Sequence, residues 1–197
     1  VTIPLLVDLK PTGSKGGDGK VRIVTNESST LVETFFKLGS KLNTTKLANL
    51  DPLPEVDSIA SSFGNVLYSA VGVRNQTQYD YATENIFECL QDLDNALAHS
   101  KYLAGDEISN LDVIFFPFLV RFDVAFTQLI HFTRARVSDF KNLYAYFLRL
   151  YNNDQIKSTV YIDQIRAGMM TPLYRNKFKI PYEIVPSLPY LEWLENN

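Results

Sequence analysis

The sequence predicts an α+β protein in which two short strands and one helix precede an all-α region. Two β-rich runs, at 3–9 and 21–25, flank a glycine-rich stretch, as the strands of a hairpin do. A polar stretch with two prolines, at 43–57, interrupts the apolar pattern. After it, apolar residues recur at three- and four-residue spacing, which is typical of helices. We therefore divide the chain into a mixed domain at 1–45 and an all-α domain at 46–197.

The mixed domain is predicted to contain two strands, a turn and a helix. The strand at 3–9 is entered through Pro4, which lacks an amide hydrogen and therefore suits a strand start or edge. The glycine-rich segment at 10–20 lacks the G-x-x-x-x-G-K-S/T phosphate-binding pattern, so we interpret it as a surface turn. The strand at 21–25 leads into a helix at 28–42. The apolar side of that helix is predicted to comprise Leu31, Val32, Phe35, Phe36 and Leu38.

The all-α domain is predicted to begin with helices at 55–71 and 77–98 and to continue with helices at 139–152 and 158–167. The single cysteine, Cys89, lies in the apolar stripe of the second helix, so we interpret it as a packing thiol. That stripe comprises Ala82, Ile86, Cys89, Leu90, Leu93 and Leu97, and the helix at 139–152 is expected to direct Leu143, Tyr146, Phe147 and Leu150 inward.

A capping box marks the start of a very apolar central helix. Ser109 and Asp112 have the S-x-x-D spacing in which each side chain bonds the backbone of the other position. Gly105, just before them, suits a tight turn. From Thr171 onward four prolines predict an extended tail.

Composition excludes several classes of protein and of site. The net charge of −3 offers no positive field for nucleic acid. The sequence has no run of about 18 apolar residues that would span a bilayer. One cysteine excludes an internal disulfide, and two histidines are too few for most metal sites. We therefore expect no metal site, no nucleic-acid partner and no transmembrane segment, in a soluble protein that is cytoplasmic or organellar, in a plastid or mitochondrion.

The segment "NESS", at 26–29, places a carboxylate and two hydroxyls where a strand gives way to a helix. One interpretation is local, because Ser28 or Asn26 can serve as a plain N-cap for the helix. The other is that an anionic or amino-bearing ligand binds at the helix start. The residues alone leave both interpretations open.

Three segments resemble a glutathione transferase. "TIPLLVD", at 2–8, resembles the segment in which a thioredoxin-like domain passes through a cis-proline into its third strand. "VTNESSTLVETF", at 24–35, resembles the strand, Glu-Ser pair and helix that come next in the family. "YLAGDEISNLDVIFFPFLVRFD", at 102–123, resembles the capping box and core helix of the all-α second domain. The resemblance implies the C-terminal half of a thioredoxin-like domain followed by a glutathione transferase C-terminal helical bundle.

Within that superfamily, the sequence is most similar to the glutathionyl-hydroquinone reductases, or Xi class. "LVRFD", at 119–123, is present in full, and the segment at 142–166 resembles the family's "NL-GYLRDLYQ-PGI-DTVN-DHIK" stretch. "EIVPSLP", at 183–189, resembles the family's tail.

The resemblance implies a glutathione site built from four residues. The backbone of Ile3, before the cis-proline Pro4, would extend the tripeptide as an antiparallel strand. Glu27 would pair with the ammonium of the γ-glutamyl group, and Ser28, with the helix-start amides, would receive its carboxylate. Glutathione is therefore the expected ligand or substrate.

The resemblance also implies two losses of chemistry. The family's reactive cysteine lies in a C-P-W-A setting that would precede Val1, and Cys89 aligns elsewhere, so no catalytic residue is expected. Where the family has "DHIKRHYY", with an active-site tyrosine near the quinone, this sequence has "DQIRAGMM" at 163–170. A second family tyrosine is retained as Tyr68, which is equally a candidate packing residue.

Two functions therefore compete. In the first, a catalytically incompetent relative serves as a structural or interaction subunit, with a protein partner or as a homo-oligomer. In the second, the protein is a glutathione-dependent thiol transferase or quinone reductase whose catalytic segment lies upstream of Val1. The loss of the tyrosines favours the first function, whereas Pro4, Glu27 and Ser28 favour retained glutathione binding.

Overall fold

The computed structural model describes residues 6–8, 22–41 and 52–172. The chain forms two compact units, Val1–Leu47 and Ala48–Asn197. The assignment of domains to 1–45 and 46–197 stays a prediction.

The first unit contains two strands and a helix in its described residues. Strand β1 (Leu6–Asp8) pairs antiparallel with β2 (Arg22–Thr25), and helix α1 (Ser28–Lys41) follows. The predicted apolar side of α1 is wrong at two positions, because Phe35 and Leu38 are exposed. An apolar pattern marks one side of a helix, but a residue on that side is buried only where another part of the protein covers it.

The second unit is helical throughout its described residues. It contains α2 (Pro54–Ser69), α3 (Gln76–Ala96), α4 (Asn110–Arg121), α5 (Thr127–Leu129), α6 (Lys141–Tyr151), α7 (Asp154–Lys157) and α8 (Ile162–Pro172). Short 3₁₀ turns at Ala70–Gly72 and Val137–Asp139 connect some of these helices. Between α4 and α5 the backbone adopts a π-helical segment, Phe122–Phe126, which we call the π segment. These described helices and the π segment surround a large apolar core, and Val124, Ala125 and Met170 form a smaller cluster beside it.

Local signals explain why several helices begin where they do. Pro54 occupies the first position of α2, where a missing amide hydrogen costs nothing. Asn75 caps α3, because its side-chain oxygen accepts from the amide of Gln78 at 2.9 Å. The predicted capping box of Ser109 and Asp112 is present at the start of α4.

The core is rich in aromatic side chains, and the predicted inward residues of the α3 and α6 helices are buried, apart from the half-buried Cys89. Phe63 of α2 meets Phe115 of α4 edge to face, with ring centroids 5.3 Å apart. Phe122 of the π segment stacks on Phe132 at 5.8 Å. The first contact joins α2 to α4, and the second holds the π segment against the loop that follows α5.

The last described helix differs from its prediction. The sequence predicts a helix at 158–167, but α8 begins at Ile162 and continues to Pro172, so the extended tail does not begin at Thr171. Gly168 costs a helix only about 1 kcal/mol relative to alanine. Burial of the next turn offsets that cost, because Met170 is only 1% exposed.

Helix α6 begins without a side-chain cap of its own. Its N-cap residue is Phe140, which has no side-chain acceptor. Instead Asp94, buried in α3, accepts the amides of Asn142 at 2.7 Å and Leu143 at 2.8 Å. A carboxylate from another helix therefore satisfies the first turn of α6.

Candidate functional site

The glutathione residues that the sequence indicates lie in the first unit. Ile3 and Pro4 lie outside the described residues. The carbonyl of Glu27 accepts the amide of Leu31 at 3.0 Å, and its own amide donates to Oγ1 of Thr25 at 3.1 Å. The first of these bonds opens α1, and capping by Ser28 or Asn26 stays a prediction. The Glu27 residue is exposed at a helix start, where a carboxylate can meet an ammonium group.

Tyr68, the candidate acceptor-site residue, lies in α2 of the second unit. Its ring is held edge to face by Phe118, with centroids 6.4 Å apart, and by Phe126, at 5.2 Å. The residue nevertheless remains 50% exposed. One side of Tyr68 therefore packs while half of the residue stays accessible, and its role at an acceptor site stays a prediction.

A glycine allows this aromatic cluster to approach α2. A Cβ added at Gly64 would lie 2.5 Å from Cζ of Phe118, which is closer than real Cβ atoms come to a ring carbon. Phe118 can therefore lie across α2 only because position 64 carries no side chain. Its ring then supports one edge of Tyr68, one turn further along the helix.

The end of α8 carries thioethers where the resemblance implies phenols. Met170 packs against Val124 and Ala125 of the π segment, and the half-buried Met169 packs beside it. A Cβ at Gly168 would meet nothing within 4 Å. A thioether is only a weak acceptor and cannot donate a hydrogen bond, so these two side chains offer no proton to a bound quinone.

A half-buried carboxylate in the π segment, that of Asp123, was missed by the sequence reasoning. Both oxygens of Asp123 accept the amide of Val137 at 3.2 Å. Burial raises the pKa of Asp123 to about 6, although the Val137 hydrogen bond and the charge of Arg136 act in the opposite direction. The signal that could have found it is its place at the end of the "LVRFD" match, where a carboxylate follows an apolar run.

Cys89 lies half-buried against the core, as the apolar stripe predicts. Burial, followed by the charges of Asp92 and Glu88, raises the pKa of its thiol. Because the thiolate is the nucleophile, this environment makes Cys89 a poor one. Among the described residues, no group of histidine, cysteine and carboxylate side chains could hold a metal ion. No helix in that part of the chain is long and apolar enough to cross a membrane.

Comparison with known proteins supports the resemblance. Residues 72–149 match the family model described as the glutathione S-transferase C-terminal domain. The chain is 30% identical over 177 residues to glutathionyl-hydroquinone reductase YqjG of Escherichia coli, covering 84% of this chain and 50% of that protein. It is 26% identical over 175 residues to glutathionyl-hydroquinone reductase PcpF of Sphingobium chlorophenolicum, covering 85% and 52%. The chain thus spans about half the length of the curated relatives it matches.

Solved structures show the same likeness. The glutathione-bound structure of YqjG from Escherichia coli matches with a TM-score of 0.71 at 28% identity, over 84% of this chain and 56% of that one. The glutathione S-transferase Xi of Phanerochaete chrysosporium matches with a TM-score of 0.72 at 26% identity, over 85% and 56%. The predicted glutathione transferase fold, with its helical C-terminal domain, is confirmed by these matches. The thioredoxin-like assignment of the first unit stays a prediction.

Proposed function

We propose that this chain, which carries a glutathione S-transferase C-terminal domain and resembles the glutathionyl-hydroquinone reductases, binds glutathione without reducing glutathionyl-hydroquinones. In this proposal it serves as a structural or interaction subunit. The observation that carries the proposal is the burial of Met170 against Val124 and Ala125. An apolar contact occupies the part of α8 where the resemblance implies a phenol.

The loss of this phenol matters because a quinone oxygen needs a hydrogen-bond donor during the reaction. A phenol can donate a hydrogen bond to an oxygen that gains charge during the reaction, and such donors commonly stabilise a transition state by several kcal/mol. Met169 and Met170 cannot donate such a hydrogen bond. The side chain of Met170 is also buried, so a bound molecule could not take its place. Tyr68 is the remaining phenol of the pair that the resemblance implies.

Retained glutathione binding is supported by the first unit. Glu27 presents a carboxylate at the start of α1, and the first-turn amides of a helix have no partner within it. An acid for the ammonium and amides for the carboxylate together match an α-amino acid head group. Ile3, Pro4 and Ser28 complete the proposed site.

Isothermal calorimetry with glutathione tests this site. We expect Glu27→Gln to weaken binding about five- to tenfold, because it removes one charge-assisted contact of about 1 kcal/mol at an exposed position. Glu33→Gln is the matched control, since Glu33 is an exposed carboxylate of the same helix that pairs with Lys37 at 3.7 Å. Equal affinities for wild type and Glu27→Gln would remove Glu27 from the site. A wild-type protein that does not bind glutathione would end the binding proposal.

The lack of reductase activity is tested by a turnover assay with a glutathionyl-hydroquinone. We expect no turnover above the uncatalysed rate, because methionines stand where the resemblance implies the α8 phenol and a thioether cannot donate a hydrogen bond. YqjG from Escherichia coli is the positive control. A rate comparable with that of YqjG would contradict the proposal.

One observation favours the alternative function. Tyr68 is half exposed and supported by two aromatic rings, as a phenol that contacts a substrate would be. In this alternative the protein is a glutathione-dependent thiol transferase or quinone reductase whose reactive cysteine lies upstream of Val1. If turnover is found in the intact protein, Tyr68→Phe should lower it about 10- to 100-fold, whereas a packing role would leave it unchanged.

A protein partner or homo-oligomer belongs to the same proposal. Val71, in the 3₁₀ turn after α2, and Tyr81, in the second turn of α3, are large hydrophobic residues exposed to solvent. Exposed apolar side chains of this kind are common at contact surfaces. Sedimentation of the intact protein at several concentrations would contradict a homo-oligomer if the mass remained that of one chain.

A further inference from the structure

Arg166 is a buried cation without a partner among the described residues. It lies in α8 on the face that also carries Met170, and it is 7% exposed. Its Nε and Nη2 atoms are both buried, and neither has a hydrogen-bond partner in the described part of the chain. Most buried polar groups in folded proteins are hydrogen-bonded, so two buried donors without an acceptor require an explanation.

The charge of this guanidinium cannot be removed by deprotonation. Arginine remains protonated in proteins, and an unpaired charge is among the least favourable groups to bury. The acidic residue of the same helix does not offset it, because Asp163, one turn earlier in α8, is exposed. Lys37 with Glu33 and Arg134 with Glu84 form ion pairs elsewhere in the described part of the chain.

The two unpaired donors, Nε and Nη2, lie on the same edge of the guanidinium. Their N–H bonds run nearly parallel, and this edge matches the two oxygens of a carboxylate or phosphate. A ligand with one oxyanion group could therefore satisfy both donors at once. A neutral ligand could not compensate the charge.

The position of Arg166 also connects it to the candidate acceptor residue. Met170, one turn after Arg166, packs on Val124 and Ala125 of the π segment. Phe126, the last residue of that segment, supports the ring of Tyr68 at 5.2 Å. Single π-helical turns are rare and occur often at functional sites. The same five-residue segment thus contacts the helix of Arg166 and the ring of Tyr68.

We infer that Arg166 is an anion-binding residue of the helical unit, and that its ligand carries a carboxylate or phosphate group that accepts from Nε and Nη2. This inference does not require glutathione binding in the first unit or any reductase activity. It assigns a class of ligand to the face of α8 that carries Arg166, where the thioether of Met170 cannot donate a hydrogen bond.

Thermal unfolding of the intact protein tests the inference. Chloride is replaced by acetate, benzoate or inorganic phosphate at constant ionic strength, so that general salt effects cancel. We expect one oxyanion to raise the Tm of the wild type saturably, by about 4 °C at ten times its Kd. Arg166→Met should lose the shift, since it keeps the length of the side chain and removes the charge. Arg166→Lys should keep only part of it, because a lysine has no planar edge. Which anion acts distinguishes a carboxylate ligand from a phosphate ligand.

Controls make each outcome decisive. Arg74→Met removes an exposed arginine and should respond to the anion as the wild type does. A shift of equal size in Arg166→Met would show an adventitious ion only and would overturn the inference, as would a wild type that responds to none of the three anions. If Arg166→Met fails to fold, the Nε–H nuclear magnetic resonance signal of Arg166 in the wild type decides. That signal should move saturably with the same anion, and a fixed position would overturn the inference.

Discussion

Asp112→Ala is expected to lower the free energy of unfolding of the helical unit by about 3–5 kcal/mol. Asp112 is fully buried, and its carboxylate accepts three hydrogen bonds. Oδ2 takes the amide and the hydroxyl of Ser109 at 2.7 and 2.6 Å, and Oδ1 takes the amide of Leu103 at 2.9 Å. Alanine would leave these donors without an acceptor inside the described structure, which costs more than the bonds themselves contribute.

Denaturant unfolding followed by far-ultraviolet circular dichroism measures this effect. Asp106→Ala is the control, because Asp106 is an exposed carboxylate in the same loop and should change stability by at most about 0.5 kcal/mol. Asp112→Asn should lie between the two, since its amide keeps one acceptor and places a donor against buried donors. An unfolding midpoint for Asp112→Ala equal to that of Asp106→Ala would refute the role assigned to the capping box.

Asp94→Ala is expected to cost about 2–4 kcal/mol and to loosen the start of α6 specifically. Oδ1 of Asp94 accepts the amides of Asn142 and Leu143. The side chain of Asn142 donates in return to the Asp94 carbonyl at 3.1 Å. Because Phe140 offers no acceptor at the N-cap, removal of this carboxylate leaves the first turn without a substitute in the described structure.

Hydrogen exchange locates this effect as well as measuring it. The amides of Asn142 and Leu143 should exchange faster in Asp94→Ala, whereas the amides in the middle of α3 should change only with global stability. Asp92→Ala is the matched control, an exposed aspartate two residues away on the same helix. Asp94→Asn should retain most of the protection, because its oxygen can still accept. Unchanged exchange at Asn142 in Asp94→Ala would contradict the proposed cap.

These two carboxylates show how far local sequence reasoning extends. Asp112 could be predicted because its partner Ser109 is three residues away, and helix geometry brings that spacing together in any context. Asp94 could not, because it acts on amides 48 and 49 residues further along the chain. Nothing in the residues around position 94 distinguishes a buried cap from an exposed polar side chain of a helix.

The candidate site shows the same division. The resemblance singles out Glu27 and Tyr68 from short motifs, but their surroundings come from elsewhere. Tyr68 is held by Phe118 and Phe126, and Phe118 fits across α2 because of Gly64. Arg166 reads in sequence as an ordinary helical cation. Its burial makes it a candidate ligand-binding residue, and burial is a property of the packed chain.

The two strands, the longer helices α1 to α4 and α6, the apolar stripes of α3 and α6 and the capping box of α4 were determined by the sequence alone, because periodicity and capping act over a few residues. The short helices α5 and α7 and the π segment were not. The tertiary structure decided which polar groups are buried, where α8 ends and which side of Tyr68 stays accessible. Phe35 and Leu38 belong to this second group, since an apolar position is buried only if another element covers it. Burial depends on residues that are distant in sequence and pack together only in the folded chain. A local pattern does not specify which of them will cover a given position.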